Sequence, residues 1–262
     1  MNLSLLLTRI DKLAHVLRSK ELLRALVRHR VLVGAEHRHL LGPDLSTVVD
    51  IGANRGQFSL AVREWAPRAR VFAFEPLADP AARFRKVFQG DAGVILHQAA
   101  IGPEPGEAII HVSAADDSSS LLPISKIQER LYPGTGEVRT ETIRVARLAD
   151  CVAPAEIVPP ALLKLDVQGF ELEALRGCED LLKGFAQVYA ECSFVELYAG
   201  QALADDVIAW LRARGFRLSG VFHLGYDPGG RAVQGDFLFT STDYPGETRA
   251  RRFHRAGTDF HR

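Results

Sequence analysis

The spacing of hydrophobic positions changes near residue 44 of this chain. Before that point, apolar residues recur at helical intervals with basic residues between them, and this pattern predicts amphipathic helices in an extension over residues 1–43. We expect the apolar stripe to pack on the following domain or on a second subunit as a homodimer; the alternative is a helix lying on a membrane surface. The stripe consists of Leu6, Ile10, Leu13, Leu17, Leu22, Leu26 and Val27.

Beyond Thr47, short apolar runs alternate with helical patterns. This alternation predicts an α/β domain over residues 44–244 with a mostly parallel, Rossmann-like sheet and right-handed crossovers. A closing antiparallel pair is predicted at 216–222 and 236–240, an irregular insert at 114–140, and a basic tail at 245–262. The other predicted strands are 48–51, 71–74, 94–96, 108–112, 142–145, 162–165 and 188–191, and the predicted helices are 57–65, 78–88, 170–176 and 202–214.

Composition narrows the class of protein further. The chain has 262 residues, 47% of them hydrophobic, and a formal net charge of 0, which suits a globular domain and disfavours a general nucleic-acid binder. The three cysteines are Cys151, Cys178 and Cys192, and they form no C-x-x-C pair. This pattern favours a reducing compartment and argues against a structural zinc site in the protein. We find no signal-peptide pattern and no apolar run long enough to span a membrane. We therefore expect cytoplasmic residence, with a membrane-peripheral position as the alternative.

A glycine turn follows the first predicted strand of the domain. Gly52 permits a tight turn where the strand ends, and Gly56 lets the backbone come close to a ligand. In an open parallel sheet, ligands bind outside the carboxyl ends of the strands. Glu75 ends the next strand, where a carboxylate can accept both hydroxyls of a ribose. Together these features predict a site for an adenosyl or adenine-nucleotide ligand.

The turn does not match the dinucleotide pattern G-x-G-x-x-G, which disfavours an NAD-dependent oxidoreductase. Asp50, at the end of the first strand, would repel a pyrophosphate. The same carboxylate would suit the positively charged methionine end of S-adenosylmethionine. The sequence therefore favours S-adenosylmethionine over a dinucleotide.

Four segments, VVDIGANRGQFSL, VFAFEP, LLKLDVQGFELEALRG and GDFLF, resemble the FkbM family of methyltransferases over residues 46–240. The resemblance implies the class I methyltransferase fold, S-adenosylmethionine as donor, and O-methylation of a sugar hydroxyl in a glycolipid, polysaccharide or glycosylated natural product. It places Asp50, Gly52, Ala53, Asn54 and Gly56 at the methionine end, Glu75 and Pro76 at the ribose, and Ala100 and Ile101 near the adenine. Many members have glutamate where this chain has Gln168.

Two carboxylates are candidates for the catalytic base that takes a proton from the acceptor hydroxyl. Asp166 shares a strand face with Lys164 and lies at the carboxyl end of its strand, where reaction sites form. Its alternative role is to cap the following helix. Glu191, at the end of the next predicted strand, is the second candidate. Because Gln168 stands where many members of the family have glutamate, an alternative function stays open. In that alternative, the protein is a non-catalytic S-adenosylmethionine-binding module in a sugar-assembly complex.

The acidic and histidine residues leave the metal question open. Segment 116–120 is either a solvated loop or part of a lid, and its Asp116 and Asp117 could join Asp166 and Glu191 around Mg²⁺, so the metal stays unassigned. Among the nine histidines, only His97 and His223 are expected near a site edge, and a packed or surface position is the commoner outcome for each. His37 and His39, in the extension, are given no role.

Overall fold

The computed structural model describes residues 19–115 and 117–244. These residues form ten strands: β1 Thr47–Ile51, β2 Arg70–Phe74, β3 Val94–His97, β4 Ala100–Ile101, β5 Gly106–Ser113, β6 Glu137–Ala146, β7 Ala161–Leu165, β8 Gln187–Ser193, β9 Phe216–Tyr226 and β10 Ala232–Ser241. The α-helices of the same residues are α1 Lys20–Arg24, α2 Gln57–Trp65, α3 Ala78–Val87, α4 Lys126–Leu131, α5 Glu171–Gly177 and α6 Ala204–Arg212. A π-helical turn, Ala25–His29, continues α1, and 3₁₀ turns occupy Ala35–Leu40, Leu148–Asp150, Pro154–Glu156 and Glu179–Gly184.

Seven strands form the central sheet in the order β3-β2-β1-β7-β8-β10-β9. β1 pairs in parallel with β2 and β7, whereas β10 runs antiparallel to both β8 and β9. The predicted mostly parallel sheet with an antiparallel closing strand is confirmed. Because the chain leaves β1 in one direction for β2 and returns on the other side for β7, a crevice opens at the carboxyl ends of these strands.

The central strands β1 and β7 are buried along their whole length because both faces of the sheet are covered. In β1, Val48 packs into one core with Phe58 of α2, while Val49 and Ile51 pack into the other with Leu175 of α5. Burial on both faces removes the period-two alternation that marks a half-exposed strand. The same burial means that the pattern alone cannot say which way Asp50 points.

The described part of the N-terminal extension packs on the domain. Leu22, Val31, Val33 and Leu41 are buried in the core that contains α2. The apolar positions Leu6, Ile10, Leu13 and Leu17, and the basic tail from residue 245, lie outside the described residues. None of the helices within residues 19–115 and 117–244 combines the length and apolarity needed to cross a bilayer.

The segment between the third strand and β7 builds a second sheet, in the order β4-β6-β5. The prediction of an irregular insert over 114–140 is wrong in part, because α4 lies within it and β6 begins at Glu137. The Ser125 hydroxyl starts α4 by accepting hydrogen bonds from the amides of Ile127 and Gln128. The start of β6 consists mostly of exposed polar residues, so the hydrophobic pattern does not predict this part of the strand.

Candidate active site

A cavity lies at the carboxyl ends of β1, β2 and β7, where the sheet topology opens the crevice. Most of the predicted ligand-contact residues are brought together here. The lining includes Gly52, Ala53, Asn54, Glu75, Pro76, Ala100, Ile101 and Asp166. Asp50, Gly56 and Glu191 are not part of that lining.

Gly52 makes the turn after β1 possible. Its φ is +76°, and a Cβ added there would lie 1.8 Å from the carbonyl oxygen of Asp166, so both the conformation and the space require glycine. The amides of Gly52 and Ala53 donate to the Phe74 carbonyl at 3.0 and 2.9 Å. The turn is thereby tied to β2, and its backbone forms part of the cavity wall.

Glu75 is buried at the end of β2 with its carboxylate held by two backbone amides. Oε2 accepts a hydrogen bond from the Asn54 amide at 2.9 Å, and Oε1 accepts one from the Leu77 amide at 2.8 Å. Burial raises the pKa of Glu75 to about 7, although these amide bonds act in the opposite direction. Each oxygen keeps a second lone pair for a ligand hydroxyl.

Asp50 lies beneath the turn. It is fully buried, accepts a hydrogen bond from the Ser59 hydroxyl at 2.7 Å, and pairs with Lys164 Nζ at 3.1 Å. Lys164 Nζ also donates to the Gly52 carbonyl at 3.1 Å. Burial disfavours the charge on Lys164, but the nearby carboxylates of Asp50 and Asp166 raise its pKa overall. This placement supports the turn from below and puts the Lys164 side chain, which lines the cavity, between two carboxylates.

Gly56 faces the domain core. Its φ is +96°, and an added Cβ would lie 2.5 Å from the ring of Phe88 and 3.1 Å from that of Phe84. The sequence predicts that the Gly56 backbone comes close to a ligand, but in the structure it comes close to Phe84 and Phe88 at the end of helix α3. The residues of the turn that line the cavity are Gly52, Ala53 and Asn54.

Asp166 and Glu191 are bridged by one amide. Gln168 Nε2 donates to Asp166 Oδ1 at 2.8 Å and to Glu191 Oε2 at 2.9 Å. Burial and the charge of Asp166 raise the pKa of Glu191 well above its ordinary value. Asp166 lines the cavity with 44% of its side chain exposed, while Glu191 lies behind Gln168. The predicted shared face of Lys164 and Asp166 is confirmed by a distance of 3.6 Å between Nζ and Oδ2.

Gln168 is itself held in a fixed position. Its oxygen accepts a hydrogen bond from the Tyr198 hydroxyl at 2.8 Å, and its carbonyl accepts one from the Ser120 hydroxyl at 2.6 Å. Its φ of +55° is uncommon for a residue with a side chain. The side-chain amide therefore has a defined orientation, with its donors facing the two carboxylates.

Asp166 does not cap helix α5, because the N-cap residue of that helix is Phe170 and the helix has no side-chain cap hydrogen bond. Glu171 instead holds the turn that precedes the helix. The amides of Val167 and Gly169 donate to Glu171 Oε1 at 3.0 and 3.2 Å. The Asp166 carboxylate instead contacts Gln168 and Lys164. Its free surface faces the cavity, which is compatible with contact to a bound acceptor.

Substituting Glu171 with glutamine is expected to make stability less dependent on pH. Burial raises the pKa of Glu171 from 4.5 to about 7, so its contribution is fully present below pH 4.5 and is lost as pH rises through 7. Glu171→Gln keeps the acceptor oxygen without the charge. We expect the variant to gain up to about 3 kcal/mol relative to wild type between pH 5 and pH 8, measured by urea unfolding. A difference that stays constant with pH would contradict this assignment.

Segment 117–121 forms a wall of the cavity through Asp117, Ser119, Ser120 and Leu121. The Ser120 side chain is 2% exposed and Ser118 is 8% exposed, which does not fit a solvated loop. Asp116 lies outside the described residues. Among the residues that are described, Asp117, Asp166 and Glu191 do not gather into a cation-ligand cluster, and the Gln168 amide occupies the space between the last two.

His37 also lines the cavity, although no sequence motif assigns it a role. The 3₁₀ turn Ala35–Leu40 carries it and Glu36 there, and its ring contacts those of Phe58 and Tyr189. His97, in contrast, stacks on Phe74 at 4.9 Å between ring centroids. Helical spacing predicts that the extension packs on the domain, but it does not indicate which residues the His37 side chain will contact.

The strand order and the position of the cavity are those of the class I methyltransferase fold. A family model described as the methyltransferase FkbM domain matches residues 50–218. The chain therefore belongs to the FkbM methyltransferase family, and the resemblance stated from the sequence motifs is confirmed.

Three relatives illustrate the similarity. The 2-O-methyltransferase NoeI of Sinorhizobium fredii is 28% identical over 79% of this chain and 85% of its own length. The 31-O-demethyl-FK506 methyltransferase FkbM of Streptomyces tacrolimicus is 32% identical over 64% and 72%, respectively. Methyltransferase 1 of Beauveria bassiana is 29% identical over 53% of this chain, and the match spans 60% of that relative. A solved rRNA methylase from Streptococcus thermophilus superposes with a TM-score of 0.42 at 13% identity, covering 78% of this chain and 90% of its own.

Proposed function

We propose that this protein transfers a methyl group from S-adenosylmethionine to a sugar hydroxyl of a glycolipid, polysaccharide or glycosylated natural product. The observation that carries the proposal is that one cavity is lined by the Gly52 turn, by Glu75 and by Asp166. This shared lining supports the assignment of a donor site and a proton acceptor to the same cavity.

The charges lining the cavity favour a cationic donor. Glu36, Glu75, Asp117 and Asp166 contribute carboxylates, whereas Lys164 is paired with Asp50 and Asp166. A pyrophosphate would be repelled by this lining, while a sulfonium with an amino group would be attracted. Glu75 would accept the ribose hydroxyls, the backbone of Gly52, Ala53 and Asn54 would hold the methionine end, and Pro76, Ala100 and Ile101 would border the ribose and adenine.

Asp166 is the proposed base. As the acceptor oxygen attacks the methyl carbon, its proton passes to the Asp166 carboxylate, and the breaking S–C bond returns its electron pair to sulfur. The Gln168 amide orients this carboxylate, and Glu191 fixes the amide from behind. Glu191 is therefore proposed as a positioning residue.

Relatives support an oxygen acceptor and a saccharide. NoeI is named a 2-O-methyltransferase, and a further relative, 29% identical over 58% of this chain and 55% of its own length, is the hexuronic acid methyltransferase AglP of Haloferax volcanii. Sugar hydroxyls are therefore the first acceptors to test.

The test is calorimetric titration of the full chain with S-adenosylhomocysteine, with NAD as the control ligand, followed by methyl-transfer assays on a panel of saccharides. We expect micromolar binding of S-adenosylhomocysteine, none of NAD, and transfer to at least one sugar. Binding without transfer to any acceptor would favour the non-catalytic module, and absence of S-adenosylhomocysteine binding would overturn the donor assignment.

A further inference from the structure

Three side chains from separate parts of the chain meet beside the cavity. His37 comes from the 3₁₀ turn Ala35–Leu40, His223 from β9 and Asp236 from β10. One nitrogen or carboxylate oxygen from each lies within 4.8 Å of the other two. Among the histidine, cysteine, aspartate and glutamate residues that the structure describes, this is the group of three with such proximity.

The carboxylate of this cluster is oriented by its neighbours. Asp236 Oδ2 accepts a hydrogen bond from the Tyr189 hydroxyl at 2.8 Å and lies 2.8 Å from His223 Nδ1. Metal-binding carboxylates in proteins are commonly fixed by hydrogen bonds of this kind. Asp236 Oδ1 is left for another ligand, since both bonds use Oδ2.

His37 supplies the second observation. Its ring packs edge-on against Phe58 and Tyr189, with centroid distances of 5.2 and 5.6 Å. Its Nδ1 is buried and has no hydrogen-bond partner among the described residues. Burial of a ring nitrogen without a hydrogen-bond partner costs free energy. The position of His37 Nδ1 therefore indicates that a bound ligand satisfies it.

His223 reaches the cluster through an irregularity in β9. The register between β9 and β10 shifts between Gln234 and Asp236, and His223 has a φ of +48°. Bulges of this kind redirect a side chain, and the imidazole is turned towards Asp236 as a result. The ring centroids of His37 and His223 are 6.0 Å apart.

We propose that His37, His223 and Asp236 form a binding site for a divalent transition metal of the zinc type. Two imidazoles and one carboxylate suit Zn²⁺ and related ions, and three protein ligands leave a coordination position open, whereas Mg²⁺ prefers oxygen ligands alone. Because His37 lines the cavity, the ion lies in the cavity wall. This inference concerns different residues from the donor site and does not rest on the proposed function.

The test uses the full chain without an affinity tag, stripped with a chelator and dialysed. Titration with Co²⁺, followed by its visible absorption, and calorimetry with Zn²⁺ are expected to give one saturable site per chain. His37→Ala and His223→Asn should each weaken binding by at least about 10-fold. Asparagine tolerates positive φ, so the second variant removes the imidazole while accommodating the backbone. His111→Ala, which removes a histidine paired with Glu137 on the second sheet, is the matched control and should bind normally.

Thermal unfolding provides a check that does not depend on spectroscopy. Zn²⁺ should raise the Tm of the wild type and of His111→Ala, because a ligand that binds the folded state stabilises it, but should not raise that of the His37→Ala, His223→Asn double variant. A metal-free melt of each variant shows whether it folds. Absence of saturable Co²⁺ and Zn²⁺ binding, or equal binding by a folded double variant, would overturn the site.

Discussion

Replacement of Glu75 by alanine is expected to weaken S-adenosylhomocysteine binding by about 100-fold or more, since two hydrogen bonds to a charged carboxylate are lost. The same substitution frees the Asn54 and Leu77 amides, which the carboxylate holds in place. Calorimetry measures the effect directly. Glu104→Ala, on an exposed loop, is the control and should bind as the wild type does.

The pH dependence of donor binding tests the same residue without disrupting the fold. Burial places the pKa of Glu75 at about 7, and ribose hydroxyls donate hydrogen bonds to the ionised form. Affinity should therefore rise as pH increases through 7 and fall below it. In Glu75→Gln this component of the dependence should disappear. A wild-type Kd that is constant from pH 6 to about 8 would contradict the ribose assignment.

The meeting of the Gly52 turn and Glu75 at one cavity could be predicted because its constraints are local in sequence. Gly52 and Glu75 each follow directly from a buried strand, and parallel strands end at the same edge of the sheet. The structure adds the physical reason for the glycine, which is the Asp166 carbonyl where a Cβ would be. The shared face of Lys164 and Asp166 could also be predicted, because residues two apart on a strand point to the same side of the sheet.

The remaining features depend on contacts between distant segments. Asp50 lies on a strand buried on both faces, so its pairing with Lys164 under the turn could not be inferred from periodicity. Gly56 needs its small size because of Phe88, which is more than thirty residues away in sequence. The bridge that Gln168 makes between Asp166 and Glu191 requires the pairing of β7 with β8 and the position of Tyr198.

The interpretation of Gln168 changes once this network is visible. From sequence, Gln168 in place of a glutamate leaves two interpretations open, a changed catalytic role and a lost one. In the structure, the amide donates to two carboxylates at once, which a glutamate cannot do without a proton or a cation. Gln168 therefore keeps Asp166 oriented and accessible, and the chain retains a carboxylate at the cavity despite the substitution.

Substitution of Asp166 by asparagine is accordingly expected to lower kcat for methyl transfer by about 10²–10⁴-fold, the range typical for loss of a general base. Donor affinity and thermal stability should change little, because the side chain is half-exposed and asparagine can still accept the Gln168 hydrogen bond. Single-turnover transfer and S-adenosylhomocysteine titration measure the two quantities separately.

Glu191→Gln is the matched comparison, since it changes a carboxylate bonded to the same Gln168 amide but outside the cavity lining. If Asp166 is the base and Glu191 a positioning residue, the fall in kcat is much larger for Asp166→Asn. Equal falls in kcat for the two variants would indicate that Asp166, Gln168 and Glu191 act together, rather than Asp166 alone. Normal turnover by Asp166→Asn would leave Asp166 as a spacer and require another group to take the acceptor proton.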